Sequence, residues 1–299
     1  MTRQAAWAPF LSESELSMFL TLVEAEVRSH GVAYEMGDGE IEIEWQEGAQ
    51  RLGLSNLAQV CKGLPAGDWP SAIAKHFDLV FGSVEEEAEL RAIVSDFEKV
   101  RSKLRVRLYE SWIDDYVLKH VAEGLSAALV FDLPSAMRSV SRAEMRAWER
   151  SEDVLFDAAM QNLAFEAPAE LQLIHGPEDV PITVAESPSY YNASRALLLE
   201  RDVVPEGHPY GALVTIPNRH VFFYHLIEDA RVILAVNALV SLSVEAYRRG
   251  PGSISHHVFW TRKGALHRIP CEVEGGSLHV SPPPIFVKEV LDRLRAPPS

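Results

Sequence analysis

The sequence predicts an α+β protein: a mixed or largely antiparallel sheet with packed helices, arranged as two closely associated subdomains. Three observations carry this. The apolar runs that look like strands are not separated by regular crossover helices, which a doubly wound parallel sheet would need. A helix-rich first third gives way near Lys103 to a sheet-rich remainder, with no Pro/Gly/Ser linker between them. The composition over 299 residues, 47% hydrophobic and 24% charged, is that of a globular chain large enough to bury a core. Residues 1–103 are therefore read as a helix-rich subdomain with a β-hairpin at 32–45, and residues 104–299 as an α+β subdomain.

A first helix is signalled by Ser12-x-x-Glu15, a spacing in which each side chain satisfies an otherwise unpaired backbone N–H. Leu16, Phe19, Leu20, Val23 and Val27 then share one face, and Gly31 ends the helix. Val32, Tyr34 and Met36, then Ile41, Ile43 and Trp45, alternate with polar residues at period two, the second set with Glu40, Glu42 and Glu44. Gly37-Asp38-Gly39 supplies the turn between the two strands. Residues 54–61 read as a short helix. Asp68-Trp69-Pro70 opens another, with proline where its missing N–H does no harm. Ser83-x-x-Glu86 repeats the capping spacing and predicts a new helix start, with Glu85, Glu86, Glu87 and Glu89 in its first turns.

Residues 104–109 and 125–133 read as strands, the second nearly all apolar and so central. Ser141-x-x-Glu144 caps a short helix through Trp148, and a longer helix covers 151–165. Strands at 169–174 and 182–185 precede a helix at 193–199. Residues 213–216 and 221–227 form a strand pair turning at Pro217-Asn218-Arg219. A helix at 228–249, strands at 254–260, 266–269 and 278–280, and a helix at 285–294 complete the chain.

The charge is −15, from 43 acids and 28 bases. That opposes phosphate binding at long range and argues against a nucleic-acid partner. The densest basic patch, Arg101, Lys103, Arg105 and Arg107, alternates with Ser102, Leu104, Val106 and Leu108, and reads first as the solvent face of a strand and second as an anion site. Two cysteines, Cys61 and Cys271, are too few for a disulfide framework or a cysteine metal cluster, and read as buried thiols. Residues 1–10 lack an apolar secretory core. The longest uncharged apolar stretch, 232–244, falls short of the roughly 20 residues of a membrane span. A cytoplasmic protein with no membrane partner is expected.

No G-x-x-x-x-G-K-[ST], G-x-S-x-G or H-E-x-x-H occurs, so neither a cofactor nor a catalytic residue is assigned. No metal site is expected from the eleven histidines. His256 and His257, if both lie on a strand, point to opposite faces and cannot share an ion without a kink. One segment is dense in chemistry: Tyr191, Asn192, Ser194 and Arg195. Asn192 suits an N-cap. Arg195 in the first turn opposes the helix dipole unless it meets an acid, such as Asp132 or Glu186, or a bound anion. With the Asn218-Arg219 turn, these residues form a candidate ligand-binding set.

Several segments together resemble the YtpQ-like family of bacterial proteins, a family of unknown function. They are Leu129-Val130-Phe131-Asp132-Leu133, Ala158-Ala159-Met160-Gln161-Asn162-Leu163, Tyr191-Asn192-Ala193-Ser194-Arg195-Ala196-Leu197, and the stretch from Leu213 through Pro217-Asn218-Arg219-His220 to Val221. Asn192 and His220 stand where the family pattern carries acids. The resemblance implies a shared fold and a cytoplasmic location, and transfers no catalytic residue.

Three functions remain open from the sequence. The leading one is a non-catalytic protein-binding module, an adaptor, regulator or neutralising partner, whose acidic surface meets another and preferably basic protein. The others are an anion or small-ligand site around Arg195 and Arg219, and a hydrolase using Ser194 with a histidine.

Overall fold

A computed structural model describes residues 6–45, 48–110, 116–206, 208–274 and 277–295. The fold is α+β, and every strand pair among the described residues is antiparallel. The chain divides into two units. One comprises the residues up to Glu89 with Leu133–Ala136; the other holds Leu90–Asp132 and everything from Met137 onward.

In the first unit, α1 (Glu13–Ser29) starts at a complete capping box: the Ser12 hydroxyl accepts from the Glu15 N–H, and the Glu15 carboxylate accepts from the Ser12 N–H at 2.8 Å. Phe19, Val23 and Val27 form its buried stripe. The hairpin is β1 (Tyr34–Met36) on β2 (Glu40–Trp45), with Tyr34 opposite Ile43. Its turn needs glycine at Gly39, where φ is +83° and a Cβ would lie 2.5 Å from the Trp7 ring. A third strand, β3 (Gly48–Gly53), pairs with β2, and α2 (Ser55–Lys62) follows. Ile41, Ile43, Leu57, Cys61, Trp69, Ile73 and Phe77 close the core with α1. Each of the leucine, isoleucine and phenylalanine side chains contributes roughly 1.5–3 kcal/mol by leaving water.

The helix expected to begin at Ser83 does not. A single helix, α3 (Trp69–Ile93), runs through the position. Glu86 serves another purpose, its carboxylate accepting from the Ser135 N–H at 2.9 Å. The side chains of Trp45 and Ser83 lie outside the described residues.

The second unit takes in the last residues of α3, then a short helix, α4 (Phe97–Val100), and carries two larger sheets. The four-stranded one has β4 (Leu104–Tyr109) and β5 (Leu118–Ala122) flanking β6 (Leu125–Asp132), with β7 (Met137–Ser139) also paired to β6. β6 is central and almost wholly buried, as its unbroken apolar run predicts. Between the sheets in sequence lie α5 (Arg142–Ala147), begun by a second complete capping box at Ser141 and Glu144, and α6 (Glu152–Ala164).

The six-stranded sheet contains β8 (Glu170–His175), β9 (Pro181–Glu186), β10 (Ala212–Asn218), β11 (Val221–Leu226), β12 (Val258–Arg262) and β13 (Ala265–Ile269). Its order is β13-β12-β10-β11-β9-β8. The helix α8 (Val232–Arg249), which follows the four-residue α7 (Leu199–Asp202), packs Val232, Ala235, Val236 and Leu239 against Leu213, Phe223, Val258 and Trp260. Gly211 leads into β10 with φ +72°, and a Cβ there would sit 2.1 Å from the Thr261 carbonyl oxygen. A separate hairpin, β14 (Cys271–Glu274) with β15 (Ser277–Val280), precedes the terminal helical segment. Among the described residues no helix is long and apolar enough to cross a membrane.

Candidate functional site

The segment 191–195 lies in a 3-10 helix (Asn192–Leu198) that contacts β4, β10 and β11. Asn192 is not its N-cap, which corrects the expected role. The position belongs to Tyr191, which makes no side-chain capping bond. Asn192 is fully buried and donates through Nδ2 to the carbonyls of Ala185 (3.0 Å) and His220 (2.7 Å). The Ser194 hydroxyl, also buried, donates to the Val106 carbonyl at 2.7 Å, so its proton faces an amide oxygen rather than a base. Arg195 meets neither Asp132 nor Glu186. Its guanidinium donates to the carbonyls of Glu166 (2.7 Å) and Ala167 (2.8 Å), just past the end of α6.

The carboxylates foreseen for Arg195 belong to other partners. Tyr191 donates its hydroxyl to Asp132 at 2.8 Å, and burial, reinforced by that carboxylate, pushes the phenol well above its ordinary pKa. Arg105 pairs with Glu166 at 2.5 Å and with Asp132 at 3.6 Å. This corrects the basic-patch reading. Arg105 is not on a solvated face, and Arg101 and Lys103 lie in a 3-10 turn before the strand begins.

Asn218 closes the β10–β11 turn. Its Oδ1 accepts from the N–H groups of His220 (2.9 Å) and Val221 (3.2 Å), and its Nδ2 donates to Ala246. Arg219 lies 4.4 Å over the Tyr190 ring and donates to His220 Nε2 at 2.9 Å. Burial lowers the pKa of both Arg219 and His220. The structure thus brings Asn192 and the Asn218–His220 turn together, joined by the Ala193 N–H bond to the Arg219 carbonyl. Arg195 is turned toward the end of α6.

The histidine pair departs from expectation. Residues 254–257 are not strand; β12 starts at Val258. The Ser255 hydroxyl accepts from the His257 N–H at 3.3 Å, and the two rings stand 4.3 Å apart. The kink thought necessary for a shared ligand is present. Cys61 is buried and Cys271 half-buried, each thiol pushed up to about 11 by burial and so held protonated.

The least engaged surface of the sheet is β8. It is the terminal strand, its outer edge pairs with no described strand, and five of its six residues are exposed. Leu171 and Leu173 share one face at 60% and 58% exposure, and Phe165, five residues upstream of β8, is 90% exposed. Exposed acids bracket the strand: Glu170 opposite Glu186 at one end, Glu178 and Asp179 beyond the other. A groove of about 480 Å³ opens at the Glu170 end, lined among others by Glu186, Ser187, His220 and Pro251.

No protein-family model, curated protein or solved structure matches the chain. The geometry is therefore the ground for a functional reading. Sequence reasoning identified β8 as a strand but not as a free edge. The available signal was weak: Leu171 and Leu173 alternate with Glu170 and Gln172, and nothing local distinguishes a core-facing leucine from an exposed one.

Proposed function

We propose that the protein is a non-catalytic protein-binding module of the cytoplasm, which takes an extended basic segment of another protein onto the free edge of β8. The observation that carries this is a strand edge that pairs with no other strand among the described residues and bears two exposed leucines. Such an edge presents unmatched N–H and C=O groups, and folded proteins commonly guard it with lysine, proline, bulges or a covering loop. β8 has no lysine and no proline. Adding a strand there would satisfy the backbone and cover apolar surface in one step. The bracketing acids, two of which (Glu170 and Glu186) also line the groove, and the charge of −15 favour a lysine- or arginine-bearing segment over nucleic acid.

Affinity purification from the source organism, followed by titration of the purified partner, tests the proposal. The native chain should bind a basic segment with an affinity that falls as salt rises. The double variant Leu171→Lys, Leu173→Lys should weaken it by roughly tenfold or more, since lysines both guard the edge and repel the ligand. Unchanged affinity in that variant overturns the assignment of the edge. A salt-sensitive dimer of the chain itself, abolished by the same variant, replaces the foreign partner with a second copy and overturns the reading as stated.

A further inference from the structure

We propose that Glu110, His256 and His257 form a binding site for one divalent transition-metal ion of the zinc class. The three ligand atoms, one carboxylate oxygen and one nitrogen from each imidazole, all lie within 4.8 Å of one another. Around tetrahedral zinc, ligands about 2.0–2.2 Å from the metal stand roughly 3.3–3.6 Å apart, so small side-chain rotations close the set. Two imidazoles with a carboxylate suit a borderline-soft cation better than calcium or magnesium, which prefer oxygen.

The backbone prepares this arrangement. Glu110 follows the last residue of β4, and the histidines precede the first residue of β12, so an ion would clip the four-stranded sheet to the six-stranded one. The Ser255 contact breaks strand alternation and brings both rings to the same side. Tyr247, near the end of α8, holds the outer part of the site: its hydroxyl donates to Glu110 Oε2 at 3.5 Å, and its ring meets His256 edge-on at 5.4 Å. Support of this kind orients metal ligands. Among the described residues neither histidine ring has a hydrogen-bond partner. The nearby cation, Arg268, is paired with Glu123 at 3.1 Å. Three protein ligands leave a coordination position for water or a ligand group.

A second cluster, Glu26, His30 and Asp78, supplies the internal control. There His30 is engaged by Glu26 at 3.1 Å and stacked on Phe81 at 3.9 Å, so no metal is needed to explain it.

Titration of the full chain with Zn²⁺ by calorimetry near neutral pH, and with Co²⁺ by visible absorption, tests the site. One ion per chain should bind, with Co²⁺ giving the absorption of a nitrogen- and oxygen-ligated centre. Glu110→Gln and His256→Gln should each weaken binding by roughly tenfold or more. His30→Gln should leave it unchanged. Glu110 is exposed, so its variant tests ligation without endangering the fold, and thermal melting without metal checks this. Absence of stoichiometric binding by the native chain overturns the site. So does native affinity in Glu110→Gln, or loss of binding in His30→Gln.

Discussion

Residues 191–195 and 170–175 lie in the same unit and invite opposite first impressions. The first is rich in hydroxyl, amide and guanidinium groups, and nearly all of them are engaged inside the protein: Tyr191 with Asp132, Asn192 with two carbonyls, Ser194 with Val106, Arg195 with two more carbonyls. The second is a plain strand, Glu-Leu-Gln-Leu-Ile-His, in which Leu171 and Leu173 face outward while Ile174 packs on the core. The contrast teaches that chemical density in a sequence measures the need to satisfy buried polar groups as readily as it measures function. Availability, not reactivity, singles out the second segment.

The contrast can be broken most sharply at Asn192. Asn192→Ala removes two buried donors and opens a small void, and should lower stability by about 2–4 kcal/mol. Chemical denaturation reads this directly, and a change under about 1 kcal/mol would mean the segment is not a structural tie. His225 sharpens the comparison through pH. It is buried in β11, its Nδ1 is 2.7 Å from the Pro181 carbonyl, and burial holds its imidazole below the ordinary pKa. The unfolded chain takes up a proton near pH 6.5 while the folded one does not, so stability present above that pH is lost as pH falls. His225→Phe should flatten the acid side of the profile, and an unaltered slope would assign the loss elsewhere. The smallest effect belongs to the edge. Leu171→Lys with Leu173→Lys should change stability by no more than about 0.5 kcal/mol. A larger loss would show that these leucines already support the fold.

Local patterns were legible where the cause is local. The box at Ser12 and Glu15, the box at Ser141 and Glu144, the hairpin alternation and the apolar run of β6 follow from spacing alone. The same logic failed at Ser83 and Glu86, because a capping spacing inside a continuous helix carries no signal that the helix should restart. β3 was missed because glycine stands at both its ends, and pairing with β2 overrides that weak propensity. The candidate site was less legible still. Whether Arg195 meets an acid or two carbonyls depends on where α6 ends in space. Whether His256 and His257 diverge depends on β12 starting at Val258 rather than Ile254.

Gly211 sits so close to the Thr261 carbonyl that any side chain would force two neighbouring strands of the large sheet apart. That single place can act as a sieve for ancestry: a chain with another residue there would have to build the junction differently, however similar its surface.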